Sequence, residues 1–174
     1  MKPKDLVLGI DPGTVRTGYG LVEETDRGPR VVDYGAIQVP RGLSTGEKLE
    51  VIFLELNRVI EESGPTAVAV EEIFFAHNVR STLLLGQARG VALLAAAQAG
   101  LPVYEYAPLQ VKQAVVGYGR ASKRQLQEVL KLLLELPQVP EPEDAADALA
   151  VAVCHIASRK LEALLDEREV GDDC

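Results

Sequence analysis

Two acids stand where apolar runs stop. Asp11 closes Leu6-Val7-Leu8-Gly9-Ile10 and is followed by Pro12-Gly13, and Glu71 closes the apolar run that begins at Thr66. An ionised carboxylate at the end of a buried strand is costly unless it finds a cation or hydrogen-bond donors. Asp144 and Asp147, three residues apart at the start of an Ala-rich helical pattern, project from one helix face, and Ala145, Ala146 and Ala148 leave room for that face to approach a sheet. If the strands ending in Asp11 and Glu71 are neighbours, four carboxylates can meet.

Two unit charges 4 Å apart repel by roughly 4 kcal/mol at an effective dielectric of 20, so such a cluster needs protons or bound cations. Oxygen-only ligands select hard ions such as Mg2+ or Mn2+, whereas zinc would recruit His or Cys, of which the chain has two each. Two such ions about 4 Å apart would activate a water and stabilise the leaving oxygen during in-line attack on a phosphodiester. Taken singly, three of the acids also have a plain structural reading: Asp11 as a turn residue, Glu71 as the partner of a lysine, Asp144 as a helix cap.

Charge is unevenly spread. The formal net charge of −8 argues against a protein that coats nucleic acid nonspecifically. Between Ala76 and Leu134, however, seven basic residues (Arg80, Arg89, Lys112, Arg120, Lys123, Arg124, Lys131) face only two acids, Glu105 and Glu128. That split predicts one basic surface turned towards a polyanion, chance clustering being the alternative. Cys154 lies inside an apolar helical pattern and Cys174 is the last residue, so no disulfide framework is expected and a reducing, cytoplasmic setting follows. The amino end is too short in apolar residues for a signal peptide, and no segment approaches the roughly 20 apolar residues of a spanning helix. No membrane association is expected.

The elements that must position these acids are legible in the pattern. Strands are predicted at Leu6–Asp11, Tyr19–Val22 and Val31–Val39, with a hairpin connection around Thr25–Arg30. An amphipathic helix over Ser44–Glu62 places Leu49, Ile52, Phe53, Leu56, Val59 and Ile60 on one side and stops at Gly64-Pro65. A buried strand follows to Glu71. Val79–Ala99 reads as a helix apolar around much of its circumference, with Gly86 and Gly90, suited to a sheet on one side and a second subunit on the other. Pro102–Tyr106 is a strand, Leu109–Val116 a short helix and Ser122–Glu135 another with Ser122 as N-cap. The last helix is expected from Glu143 to about Asp166, leaving residues 167–174 as an acidic, frayed tail. The fold class is α/β: a mixed five-stranded sheet, three antiparallel strands then parallel additions, flanked by helices. Residues 1–166 read as a single domain.

In order along the chain stand Leu8-Gly9-Ile10-Asp11-Pro12-Gly13-Thr14 with Thr17-Gly18-Tyr19-Gly20, Val70-Glu71-Glu72-Ile73-Phe74, Gly86-Gln87-Ala88-Arg89-Gly90, Gln110-Val111-Lys112-Gln113, Val116-Gly117-Tyr118-Gly119 and Asp144-Ala145-Ala146-Asp147-Ala148-Leu149-Ala150. This series resembles the RuvC family of bacterial Holliday junction resolvases over nearly the whole chain. The resemblance implies a ribonuclease H-like nuclease domain, a homodimer, and symmetric cleavage of four-way junction DNA with Mg2+ or Mn2+, two ions per site. It further implies 5′-phosphate and 3′-hydroxyl products and cooperation with the RuvA and RuvB branch-migration proteins.

By the same resemblance Asp11, Glu71, Asp144 and Asp147 fall on the metal-binding acids, and Lys112 and Lys123 on lysines that assist DNA binding and charge stabilisation. Phe74 falls on an aromatic that works against junction bases. Asn78, Arg80, Arg120 and Arg124 are the remaining DNA-binding candidates, with helix capping explaining Asn78 nearly as well. The turn holding Thr14, Arg16 and Thr17 could approach a phosphate through backbone amides. A phosphotransferase built on the same strand and turn is the enzymatic rival, though that would need two such domains. A catalytically silent junction-binding subunit is the rival from another class.

Overall fold

The computed structural model describes residues 5–72 and 78–171. Five strands, β1 (Leu6–Asp11), β2 (Arg16–Thr25), β3 (Gly28–Gln38), β4 (Ala67–Glu71) and β5 (Val103–Tyr106), form one sheet in the order β3-β2-β1-β4-β5. The β1/β2 and β2/β3 pairs are antiparallel, and β4 and β5 add in parallel. The expected mixed sheet is therefore present. The β2/β3 hairpin is tighter than expected, since its strands run to Thr25 and resume at Gly28.

The helices are α1 (Thr45–Ser63), α2 (Val79–Gln98), α3 (Pro108–Val116), α4 (Lys123–Leu133) and α5 (Glu143–Gly171). Helix α1 starts at a capping box, in which the Ser44 N–H donates to the Glu47 carboxylate at 2.7 Å and Ser44 Oγ accepts from the Glu47 N–H at 3.3 Å. It ends at Gly64, whose φ of 60° is the left-handed conformation glycine adopts without a Cβ clash. Two boundaries differ from the sequence reading. Helix α4 stops at Leu133, and Glu135 turns to a positive φ of 51°, which no continuing helix allows. Helix α5 continues to Gly171, past Asp166, since no proline or glycine interrupts it.

Strand parity divides the core. Successive side chains of a strand alternate faces, so Leu6, Leu8 and Ile10 of β1 and Val68 and Val70 of β4 pack with buried residues of α1 and α2. Val7 and Ala69 face the other way and pack with Val111, Leu126, Leu130 and the Leu149–Cys154 stretch of α3, α4 and α5. Leu8 and Ile10 are fully buried, each contributing roughly 1.5–3 kcal/mol of apolar burial. Cys154 is buried and free, its thiol pushed up to about 11 by burial. Among the described residues no helix is long and apolar enough to cross a membrane.

Candidate active site

The same parity puts Asp11 and Glu71 on the α5 face. Asp11 lies two residues beyond Gly9, and Glu71 two beyond Ala69, so both share the face of Val7. Ile10 pairs with Val70 across the parallel ladder, which sets the two acids side by side at the strand ends. Helix α5 then brings Asp144 and Asp147 over them. Its approach depends on β1 and β2 lacking side chains where it crosses. A Cβ on Gly9 would lie 1.9 Å from the Ala148 carbonyl oxygen, and one on Gly18 would lie 1.9 Å from that of Asp144. Ala145 and Ala148, fully buried, complete the close contact from the helix side.

The electrostatics record the convergence. Burial first, then the negative charges of Asp147, Asp144 and Glu71, push the Asp11 carboxyl up to about 7 from 3.8, with Lys123 opposing. Glu71 is raised by burial and by Asp147, against Lys123 and Lys112. Asp147 is raised mainly by burial, although Lys123 Nζ stands 2.9 Å from its Oδ2. The same ammonium contacts Glu143. Burial works against the charge of Lys123, but its hydrogen bonds to Glu143 and Asp147 outweigh that and hold it above the ordinary lysine value. Asp144 has a different partner: Arg16 Nη1 donates to its Oδ2 at 3.2 Å.

A groove of about 220 Å3 opens beside these acids, lined by Glu71, Asp147, Lys112 and Lys123 over an apolar floor that includes Val111 and Leu126. Thus both candidate lysines and two of the four acids share one cleft. Arg120 and Arg124 are exposed on the α3–α4 connection and the first turn of α4. Asn78 caps α2, its Oδ1 accepting from the Arg80 N–H at 2.9 Å, and both side chains remain exposed. Phe74 lies outside the described residues. Of the basic stretch, Arg89 is not available to a polyanion, because it is largely buried in an ion pair with Glu105.

The donor set suits a hard divalent ion. The converging groups are carboxylate oxygens, and Asp11 is held up to about 7 chiefly by burial and then by three other acids, so a cation placed among them relieves repulsion that protons otherwise absorb. Among the described residues no three His, Cys, Asp or Glu side chains stand close enough together to hold a metal ion between them. Asp144 and Asp147 instead spend an oxygen each on Arg16 and Lys123.

Three features were not anticipated from sequence. Arg16 falls in the turn that the sequence offers to a phosphate, but nothing in the sequence pairs it with Asp144. Gly9 and Gly18 seat α5, and glycines in strands opposite an Ala-rich helix are the sequence signal for it. The Tyr106 hydroxyl meets His155 Nδ1 at 2.7 Å inside the α5 face, a contact 49 residues apart that no local pattern announces.

Known proteins resemble this chain over most of its length. The family profile described as Crossover junction endodeoxyribonuclease RuvC matches residues 7–155. A relative of that name from Roseiflexus sp. (strain RS-1) is 57% identical over 148 residues, spanning 85% of this chain and 88% of the relative. The solved structure of Thermus thermophilus RuvC superposes with a TM-score of 0.83 at 35% identity, covering 90% of this chain and 96% of that one. The T. thermophilus RuvC structure in complex with Holliday junction substrate superposes with a TM-score of 0.82 at 32% identity, with the same coverage.

Proposed function

The chain belongs to the RuvC family of crossover junction endodeoxyribonucleases, with its ribonuclease H-like fold, and from that premise we propose that it resolves Holliday junctions. It is a structure-selective DNA endonuclease that cuts opposed strands of a four-way junction by metal-dependent hydrolysis, leaving 5′-phosphate and 3′-hydroxyl ends. The observation that carries this reading is the convergence of Glu71, Asp144 and Asp147 on the half-buried Asp11.

Asp11, Glu71, Asp144 and Asp147 are the residues that hold the metal, Mg2+ or Mn2+, as two ions per site. Bound there, the metal supplies Lewis-acid activation of water and neutralisation of charge on the reacting phosphate. Lys112 and Lys123 flank the groove as point charges for phosphate oxygens. Arg120 and Arg124, exposed before and after Lys123 in the chain, follow the DNA backbone, and Asn78, Arg80 and Phe74 engage the junction. Phosphate contacts position the duplex, and an aromatic stacked on an unpaired base adds about 1–3 kcal/mol.

A junction offers two equivalent strands, which a two-fold dimer can cut symmetrically. Helix α2 supports that arrangement: Ala88, Ala92, Ala95 and Ala96 are buried in the core that α2 shares with the sheet and α1, whereas Val79, Leu83 and Leu94 are exposed. Gly86 and Gly90 have open space around them, which allows close approach of a second copy. Cooperation with RuvA and RuvB and a cytoplasmic site of action complete the reading.

The test compares the wild type with Asp11→Asn and Glu71→Gln on a synthetic four-way junction, with and without Mg2+, scoring binding and cutting separately. Cutting is expected to vanish in both variants while junction binding persists. Unchanged cutting in either variant rejects the assignment.

A further inference from the structure

We infer that Arg16 is a substrate-phosphate residue that the free protein keeps on Asp144, so that arrival of the DNA backbone releases an acid to the metal. Arg16 opens β2 directly after the Gly13–Val15 turn. That turn is locked from within: buried Thr17 donates its hydroxyl to the Gly13 carbonyl at 2.8 Å and accepts from the Gly13 N–H at 3.2 Å. Arg16 therefore leaves a fixed backbone, with its side chain about a third exposed.

Its surroundings suit an anion that comes and goes. Gly13, Thr14, Val15, Arg16 and Asp144 line a groove of about 370 Å3, separate in its lining from the groove that holds Glu71 and Asp147. A guanidinium carries five N–H donors in a planar fork. Here Nη1 serves Asp144, while among the described residues the buried Nε has no hydrogen-bond partner. A phosphodiester oxygen pair can take that fork in two parallel bonds, which the single Asp144 oxygen does not.

Carboxylate and phosphate then compete for one guanidinium. Asp144 is only about a third exposed and its charge already bears on Asp11, so an Asp144 released by phosphate adds its full charge to the acids around Asp11. DNA and metal ion each favour the other through Arg16, and the coupling is reciprocal. Lys123 has a parallel position on Asp147, but it already lines the catalytic groove, whereas Arg16 reaches the acids from the opposite strand.

This rests on reading Asp144 as an acid of the metal centre, and the experiment separates the two. Mn2+ binding to the metal-free protein is measured by titration calorimetry for wild type, Arg16→Gln, Arg16→Lys, Asp144→Asn and the Arg16→Gln/Asp144→Asn double variant. Junction binding is measured without metal across a salt series. Arg16→Gln is expected to bind Mn2+ about two- to fivefold tighter, the scale of a partly exposed ion pair, and to bind the junction more weakly, with the salt slope reduced by about 1. The Mn2+ gain should vanish in the Asp144→Asn background, and Arg16→Lys should restore the salt slope. Unchanged or weaker Mn2+ binding in Arg16→Gln, an unchanged salt slope, a gain that survives in the double variant, or no rescue by Arg16→Lys overturns the inference. If Asp144→Asn itself leaves Mn2+ binding unchanged, the metal-site reading of Asp144 fails instead.

Discussion

Lys123 Nζ lies 2.9 Å from Asp147 Oδ2 and also contacts Glu143, tying the first turn of α4 to the first turn of α5. The ammonium sits half exposed at the rim of the groove, so its value is directional rather than structural. Lys123→Met is expected to leave thermal stability nearly unchanged and to lower the single-turnover cleavage rate by about 10²–10³, the usual cost of removing one preorganised charge from a reacting phosphate. Junction affinity should fall by a smaller factor, read separately by fluorescence anisotropy. Equal losses in binding and in cleavage would make Lys123 an ordinary backbone contact.

Asp11 gives a pH prediction whose sign is opposite to that of most carboxylates. Unfolded, it ionises near 3.8; folded, burial and then the three other acids push it up to about 7. Between those values the folded state holds the extra proton, so this contribution to stability is fully present below about pH 4 and is lost as pH rises through 7. Asp11→Asn carries no such loss. The variant should match wild type near pH 4 and exceed it by about 1–4 kcal/mol at pH 8 in chelator, as read by urea unfolding. Saturating Mn2+ should shrink the difference, because the ion binds only folded wild type tightly.

Close approach of α5 to the sheet is tested at Gly18. A Cβ there would meet the Asp144 carbonyl oxygen at 1.9 Å, and backbone cannot rotate away as a side chain can. Gly18→Ala is expected to cost about 1–3 kcal/mol through overpacking and to reduce cleavage further than stability alone explains, because it lifts Asp144 off Asp11. Gly46→Ala, in the first turn of α1 with open space around it, is the control and should be neutral or stabilising by up to about 1 kcal/mol. Differential scanning calorimetry of the two variants decides.

What could be read from the chain follows from how local each cause is. Apolar runs that end in Asp11 and Glu71 are local, and they put both acids at strand ends from the sequence pattern alone. The Ser44–Glu47 box and Gly64 likewise mark the ends of α1 within a few residues of sequence. The partner of Asp144 is not local: Arg16 lies 128 residues away, and only the β2 start facing the α5 start makes the pair. Helix α5 ran past Asp166 because its end depends on the absence of a breaker rather than on a signal. Gly9 and Gly18 look like ordinary strand glycines until the helix that needs them is in place.

Tyr106 and His155 make the last prediction. Tyr106 pairs with Glu71 in the β4/β5 ladder and its carbonyl accepts the Glu72 N–H at 2.8 Å, while its hydroxyl meets His155 on α5, two turns beyond Asp147. Burial, and then the charge of Arg159, hold the His155 imidazole down to about 4, so in the folded protein it is neutral above that pH. Its contribution is therefore fully present above the unfolded value of 6.5 and is lost as pH falls through 6.5 towards 4. Asp11 slopes the other way across an overlapping window, so the two must be separated. In an Asp11→Asn background the protein should lose stability on acidification below pH 6.5, and adding His155→Leu should flatten that slope. Tyr106→Phe leaves the buried ring nitrogen without its partner and should cost about 1–3 kcal/mol at pH 8. If the tie also spaces Glu71 from Asp147, Tyr106→Phe will weaken Mn2+ binding at temperatures well below its unfolding midpoint. A stability loss with unaltered Mn2+ affinity would confine the pair to core packing.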